Sequence, residues 1–496
     1  MSSVFHFVRA GYQKNLREGY VSPGGIILVL TALLFPIGGW MADAYIGRYR
    51  MIHYSIWMMW TGAIFIMAGE IFANVNGTYN KAINVYVIYA MFAVMAMGLG
   101  AFQSTIIQLG VDQLTDASST EITSFITWYV LILYASGITL QFATECIIYM
   151  QPNDELYYVK VLAIAFFLTI VLCSDFLLHR WLVKEQVIIN HFNLILRVIR
   201  YALKNWKLKH TITVNNQAPS CLDVAKQTYG GPFTPQQVED VKMFLQLLKL
   251  VALCTFLCCG IPLVEYAKQN IERHMQEWEG NYNLSGCYNR LTIRYGDYLI
   301  AISVVLLYEF LVYPFFNHCL PKISIERKFL LGAVLFLMRI LALLSLEIVV
   351  FTDFDTKNST ETCIFTAQDE QKINIDISGR WLIIPGVMSA LSSLLFFQSG
   401  FEFIWAQAPT SMTGLLFGIC YASASLSIIF QATLASPFLF VRRIPWQHIP
   451  LTCGIWYFIL QSLVVVIILA IIAVMIKKYK RRDTNDNLLT STLTYS

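Results

Sequence analysis

The sequence predicts an all-α membrane protein whose helices form two bundles, and three observations support this prediction. Of the 496 residues, 57% are hydrophobic and only 13% are charged, with a mean hydropathy of +0.58, whereas a soluble domain is about 25% charged. Apolar runs of bilayer-spanning length recur along the chain, and one long polar segment, 180–242, divides them. This composition excludes a soluble enzyme, a disordered chain and a coiled coil.

Each apolar run is long enough to cross a bilayer, because a hydrocarbon core of ~30 Å needs about 20 helical residues. The runs lack the alternation of barrel strands and are longer than the ~10 residues that such strands need. The eleven predicted helices are 21–42, 51–74, 84–107, 124–149, 158–179, 243–266, 297–318, 328–350, 381–404, 411–436 and 451–476. We therefore divide the chain into an N-terminal segment (1–20), a first lobe (21–179), a linker (180–242), a second lobe (243–476) and a tail (477–496).

The linker contains an apolar stripe with helical spacing. The stripe consists of Ile188, Phe192, Ile195, Ile199, Ala202 and Trp206, and basic residues lie off it. This pattern predicts an amphipathic helix on the inner membrane surface. Further on, Thr234 and Gln237 form a capping-box pattern around Pro235, which suits the first position of the next helix.

Basic residues predict the orientation of the helices. More than half of the 35 lysines and arginines lie in 43–50, 180–242, 319–328 and 477–482, which alternate with the other loops and are therefore predicted to be cytoplasmic. Sequons fall in the opposite loops, at Asn76, Asn283 and Asn358. Cys287 and Cys363 lie there too, either as a disulfide or as two unpaired thiols. We expect a multi-pass glycoprotein of the plasma membrane, with an endo-lysosomal membrane as the alternative.

The number of helices conflicts with the charge of the N-terminus. Eleven spans and a cytoplasmic tail place residues 1–20 outside, although Arg9, Lys14 and Arg17 favour the inside. We therefore expect that a first helix is missing from this chain.

The string GGWMADAYIGRYR, residues 38–50, is the most specific pattern in the chain. Gly39 and Gly47 allow close helix approach. Asp43 can pair with Arg48 or face a helix N-terminus, and Arg50 adds a second cation. The string predicts a cytoplasmic gate between two states. The alternative is an ordinary charged loop that follows the positive-inside rule.

The same string resembles the loop after the second helix in the proton-coupled oligopeptide transporter family, a branch of the major facilitator superfamily. Three further segments agree in order: 98–114, 233–249 and SGFEFIWAQAPTSMTGLL at 399–416, while YEFLVYP at 308–314 fits more loosely. The resemblance implies a two-lobed fold of twelve helices that imports di- and tripeptides with protons by alternating access. It also implies that the chain begins at the second helix of the family, and it adds Asp112 to the gate.

Three residues are candidates for the substrate and proton site. Glu402 lies within an apolar run, where a carboxylate costs about 2.5–3.5 kcal/mol unless it faces a cavity or a partner; the resemblance implies that it receives the amino terminus of the substrate and interacts with the proton circuit. The alternative is a structural hydrogen bond. Glu309 matches an acidic position of the eighth helix, with a bond from Tyr308 as the alternative. Gln103 stands where the family commonly has a lysine.

Two functions remain in competition after these comparisons of motifs. The first is a proton-coupled symporter of small peptides or related solutes, with protons as the coupling ion and no bound cofactor or metal. The second is a sensor or other non-transporting membrane protein on the same scaffold, favoured by the missing lysine and first-helix motif. An intramembrane enzyme is disfavoured because neither HExxH nor a serine or cysteine beside a histidine base occurs in a span. A net charge of +4 gives no reason to expect nucleic acid binding.

Overall fold

A computed structural model describes residues 33–76, 81–114, 117–150, 157–182, 191–205, 220–258, 299–307, 310, 324–357, 379–409, 412–423, 426 and 451–478. Helices account for most of these residues. In chain order they are α1 (Leu33–Ile46), α2 (Arg48–Asn76), α3 (Lys81–Asp112), α4 (Ser119–Met150), α5 (Tyr157–Leu178), α6 (His191–Lys204), α7 (Pro235–Cys258), α8 (299–307), α9 (Ile325–Lys357), α10 (Ile383–Gln407), α11 (Thr413–Ser423) and α12 (Leu451–Lys478).

Each predicted apolar run contains one of these helices, and α6 adds the amphipathic helix of the linker. Among the described residues, five helices are long and apolar enough to cross a membrane: α2, α3, α9, α10 and α12. Large apolar side chains cover their outer faces and that of α5, where Phe176 is 73% exposed. Lipid is the solvent that such faces require. The chain is thus an integral, multi-pass, all-α membrane protein.

The helices pack as two lobes. In the first lobe, α2 packs along α3 and α5, and in the second, α9 packs along α10 and α12. Gly98 permits the α2–α3 contact, because a Cβ at this position would lie 2.7 Å from the carbonyl oxygen of Ser55. The lobes meet where α4 contacts α10. Residues from both lobes belong to one buried apolar cluster, which includes Ile126 of α4 and Phe401 of α10.

The linker helix α6 packs part of its apolar face on the protein. Ile195, Val198 and Ala202 are buried, and the cluster that contains Ile195 and Val198 also contains Ala225 and Val238. The apolar face therefore loses its water by contact with the residues before and within α7. Sequence periodicity identifies such a face, but it does not distinguish a lipid surface from a protein surface.

Charged residues anchor the linker to the first turns of α7. Asp223 pairs with Lys226 and Lys242, and both lysines also pair with Glu239. Burial alone would raise the pKa of Asp223, but the hydrogen bonds from Lys226, Lys242 and Ser220 outweigh it and hold the pKa well below its usual range.

The predicted capping box at the start of α7 is confirmed. The Gln237 backbone N–H donates to Thr234 Oγ1 at 3.3 Å, and the Thr234 backbone N–H donates to Gln237 Oε1 at 3.1 Å. The same arrangement starts α4, where Ser118 and Glu121 bond reciprocally at 2.7 and 3.4 Å. Both boxes satisfy N–H groups that the first helical turn leaves without partners.

Candidate functional site

Asp43 lies at the end of α1, and its carboxylate faces the N-terminus of α11. Asp43 Oδ2 accepts hydrogen bonds from the backbone N–H groups of Gly414 at 2.8 Å and Leu415 at 3.3 Å. Asp43 Oδ1 accepts a bond from Arg48 Nε at 3.3 Å. The sequence offered either Arg48 or a helix N-terminus as the partner, and the structure brings both together. The carboxylate thus meets the unpaired N–H groups and the positive end of the α11 dipole.

Arg48 connects three helices at the same place. Its Nη1 lies 2.7 and 2.8 Å from the two carboxylate oxygens of Asp112 at the end of α3. Its Nη2 donates to Thr413 Oγ1 of α11 at 3.4 Å. We call Asp43, Arg48, Asp112, Thr413, Gly414 and Leu415 the Asp43 cluster. The cluster joins residues of the first lobe to the start of α11 in the second.

Two glycines give the Asp43 cluster its geometry, while Arg50 stands apart from it. A Cβ at Gly39 would lie 2.0 Å from the carbonyl oxygen of Gly414, so only glycine lets α1 approach α11 this closely. Gly47 has φ 88°, a left-handed conformation that favours glycine, and its N–H closes the end of α1 on the Ala42 carbonyl. Arg50 is exposed and forms no ion pair with the described residues.

Glu402 lies on α10 and is only 2% exposed. Its Oε1 is 3.4 Å from Nζ of Lys328, in the first turn of α9, which is only 5% exposed. By its charge, Lys328 is one of the basic residues that orient the helices, and the structure adds that it is the ion-pair partner of Glu402. Its place at the start of the apolar run 328–350 was a usable signal, since a charge buried in such a run needs a partner.

Gln398 precedes Glu402 by one helical turn and connects it to the first lobe. Gln398 Nε2 donates to Glu402 Oε1 at 2.9 Å and to Oγ1 of Thr127, on α4, at 2.6 Å. All three side chains are buried. Neither Gln398 nor Thr127 is among the site residues predicted from the sequence. The i,i+4 spacing between Gln398 and Glu402 was the available signal, whereas nothing in the sequence indicates the contact with Thr127.

The remaining predicted site residues are separate from these contacts or lie outside the described residues. Gln103 is buried on α3, and its amide oxygen accepts no hydrogen bond from the described residues. The described part of the chain contains no group of three His, Cys, Asp or Glu residues that could hold a metal ion. Predicted positions outside the described residues are Glu309, Asn283, Asn358, Cys287, Cys363 and the side chain of Asn76.

Comparisons with known proteins find relatives in sequence and in fold, although no family model matches the chain. The rat solute carrier family 15 member 3 is 20% identical over 482 residues, which cover 86% of this chain and 78% of that protein. The human solute carrier family 15 member 5 is 23% identical over 324 residues, which cover 62% of this chain and 53% of that protein.

The fold also matches solved structures. The crystal structure of an auto-inhibited POT family peptide transporter has a TM-score of 0.58 with 12% identity, over 93% of this chain and 89% of that one. At this identity the match shows the fold, which is of the major facilitator type. The relatives in sequence and in fold are solute carriers and transporters rather than enzymes. The resemblance first seen in the motifs is therefore confirmed: the chain is similar in sequence to members of solute carrier family 15 and similar in fold to a POT family peptide transporter.

Proposed function

We propose that the protein is a secondary-active transporter that moves small peptides or related solutes by proton symport and alternating access. One observation carries the proposal. Lys328 and Glu402 form a buried ion pair, and Gln398 connects Glu402 by hydrogen bonds to Thr127 on the other lobe. Ionisable residues inside a membrane protein are costly, and they commonly mark a substrate or ion pathway.

Glu402 is proposed to receive the amino terminus of the substrate. Its Oε1 accepts from Lys328 and Gln398, so a substrate ammonium at this carboxylate would compete with the Lys328 ammonium for its negative charge. This competition suits a transporter, because the carboxylate stays neutralised whether the site is empty or occupied. A proton on Glu402 would weaken both interactions together, which gives proton coupling a physical basis.

The Asp43 cluster is proposed to act as the cytoplasmic gate. Opening the gate breaks the bonds from Asp43 to Gly414 and Leu415 and the bond from Arg48 to Thr413, which cross between the lobes. The Arg48–Asp112 pair, in which Nη1 contacts both carboxylate oxygens, lies within the first lobe and can stay intact. Arg48 therefore keeps its strongest partner in both states, which lowers the cost of separating the lobes.

Several finer features belong to the same proposal. Gln103 and Glu309 would line the route of the substrate, and protons would be the only coupling species, without a bound cofactor. The plasma membrane is the proposed location, with an endo-lysosomal membrane as the alternative. Glycosylation at the three sequons and a disulfide between Cys287 and Cys363 would place those loops outside.

Uptake into vesicles tests the proposal. Reconstituted protein should accumulate a labelled dipeptide, and the rate should rise as the outside pH falls. Glu402→Gln should abolish accumulation. Glu121→Gln is the matched control, because Glu121 is an exposed helix-capping residue and glutamine also suits its capping box. Uptake that ignores both pH and a protonophore would contradict proton symport.

A non-transporting sensor is the second candidate, favoured by the Lys328–Glu402 pair itself. Because Lys328 already neutralises Glu402, the site is charge-balanced without a substrate or a moving proton. Saturable dipeptide binding in vesicles that show no flux would favour the sensor. Flux that disappears with Glu402→Gln would exclude it.

A further inference from the structure

We propose that Gln398 is a positioning residue that couples Glu402 to the first lobe, so that the state of the Glu402 carboxylate influences how tightly the lobes meet. Four buried polar side chains form a continuous chain across the interface. They run from Lys328 on α9 through Glu402 and Gln398 on α10 to Thr127 on α4.

The hydrogen-bond inventory of Gln398 suits this role. An amide nitrogen carries two hydrogens, and Gln398 Nε2 has two acceptors, Glu402 Oε1 at 2.9 Å and Thr127 Oγ1 at 2.6 Å. Thr127 completes the chain, since its own hydroxyl donates to the Thr123 carbonyl oxygen at 2.9 Å. The hydroxyl of Thr127 can therefore only accept from Gln398, and the direction of each bond is fixed.

The position of these four hydrogen-bonded side chains makes the coupling effective. α4 and α10 contact each other across the lobe interface, and the Gln398–Thr127 bond is a polar contact between these two helices. When a substrate amine or a proton occupies Glu402, the carboxylate holds the Gln398 amide less strongly. The amide is then less constrained to point at Thr127, and the lobes lose part of the contact.

This coupling rests on the proposed function in one respect only: it assumes that Glu402 is the carboxylate that binds the substrate. The link between the lobes can be measured without substrate. Spin labels at Trp181 and Arg327, both exposed and at the same predicted cytoplasmic side of the two lobes, report the interlobe distance in nanodiscs. The ratio of close to separated conformers is the quantity compared among variants of the full chain.

Thr127→Val removes the acceptor and keeps the side-chain shape. One hydrogen bond is worth about 1 kcal/mol, so the ratio of close to separated conformers should fall roughly fivefold. Thr127→Ser retains the hydroxyl and should keep the original ratio. Thr139→Val is the matched control, because the exposed Thr139 makes only the equivalent bond within α4, to the Ala135 carbonyl at 2.8 Å.

A double variant tests the coupling itself. In a Glu402→Gln background the Gln398 amide is no longer held by a carboxylate, so Thr127→Val should change the ratio by less than about twofold, compared with fivefold in the original background. Additive effects would overturn the proposal, as would equal effects of Thr127→Val and Thr139→Val. Failure of the transport proposal would appear separately, as dipeptide accumulation that Glu402→Gln leaves intact.

Discussion

Removing the Asp43 carboxylate should weaken the contact between the lobes by an amount that its bonds determine. Asp43→Ala loses the 2.8 Å bond from the Gly414 N–H, the longer bond from Leu415 and the favourable position at the α11 N-terminus. A bond to a charged group contributes about 1.5–3 kcal/mol, and a charge at a helix terminus contributes roughly 0.3–1 kcal/mol. A total of about 2–4 kcal/mol reduces the ratio of close to separated conformers roughly 30- to 700-fold.

Asp43→Asn separates the two contributions. Asparagine keeps an oxygen that can accept from the same N–H groups, but it has no charge. We expect it to lose about 1 kcal/mol, the helix-dipole part, which is a roughly fivefold change. Arg48 remains neutralised in both variants because its ion pair with Asp112 is independent of Asp43.

The interlobe distance between spin labels measures these ratios in the absence of substrate. Arg50→Gln is the control, since Arg50 is an exposed charge in the same segment that forms no ion pair with the described residues. The expected order of effects is Asp43→Ala, then Asp43→Asn, with Arg50→Gln unchanged. If Asp43→Ala shifts the ratio no more than Arg50→Gln, the carboxylate does not hold the lobes together and the gate assignment is wrong.

Three further predictions concern buried charge, helix approach and pH. Lys328→Gln leaves a buried carboxylate without its cation, a loss of about 3–5 kcal/mol, and should lower the thermal unfolding midpoint, whereas the exposed Arg327→Gln should not. Gly39→Ala should lower the population of close conformers, because its Cβ would meet a backbone carbonyl at 2.0 Å, while Gly400→Ala should be tolerated, because its Cβ would meet nothing within 4 Å. The protection factors of the backbone amides in residues 220–233, that is, exchange rates corrected for intrinsic exchange at each pH, should stay constant between pH 7 and pH 5, because the folded-state pKa of Asp223 is depressed and its contribution is complete above the unfolded value of about 4. The protection factors should fall at lower pH, and Asp223→Asn should show the reduced protection already at pH 7; equal protection in both proteins would contradict the anchoring role.

Local features of the fold could be predicted because neighbouring residues determine them. The apolar runs specify helices wherever about 20 residues avoid charge, and the capping box at Thr234 and Gln237 is a contact three residues apart. The linker helix illustrates the limit. The apolar stripe of α6 could be predicted from its helical spacing. The residues that cover this stripe belong to the following segment, and the spacing within one helix gives no information about them.

The candidate site shows the same division. Asp43 and Arg48 are five residues apart, so their pairing could be expected from the string itself. The helix N-terminus that Asp43 faces is about 370 residues away in sequence, and a sequence alone gives no distance between such segments. Lys328 shows the same limit: its place in an apolar run indicates that it needs a partner, but not that the partner is Glu402, which is 74 residues away in sequence.

The sequence by itself determined the membrane environment, the helices and the residues that carry charge into the bundle, because each depends on composition or on contacts within a few turns. Only the tertiary structure decided how those charges are neutralised. Asp43 is neutralised by a helix end and Arg48, and Glu402 by Lys328, with Gln398 extending the network to Thr127. These pairings depend on how helices distant in sequence pack, and the high cost of an unpaired charge in a low-dielectric interior makes that packing decisive.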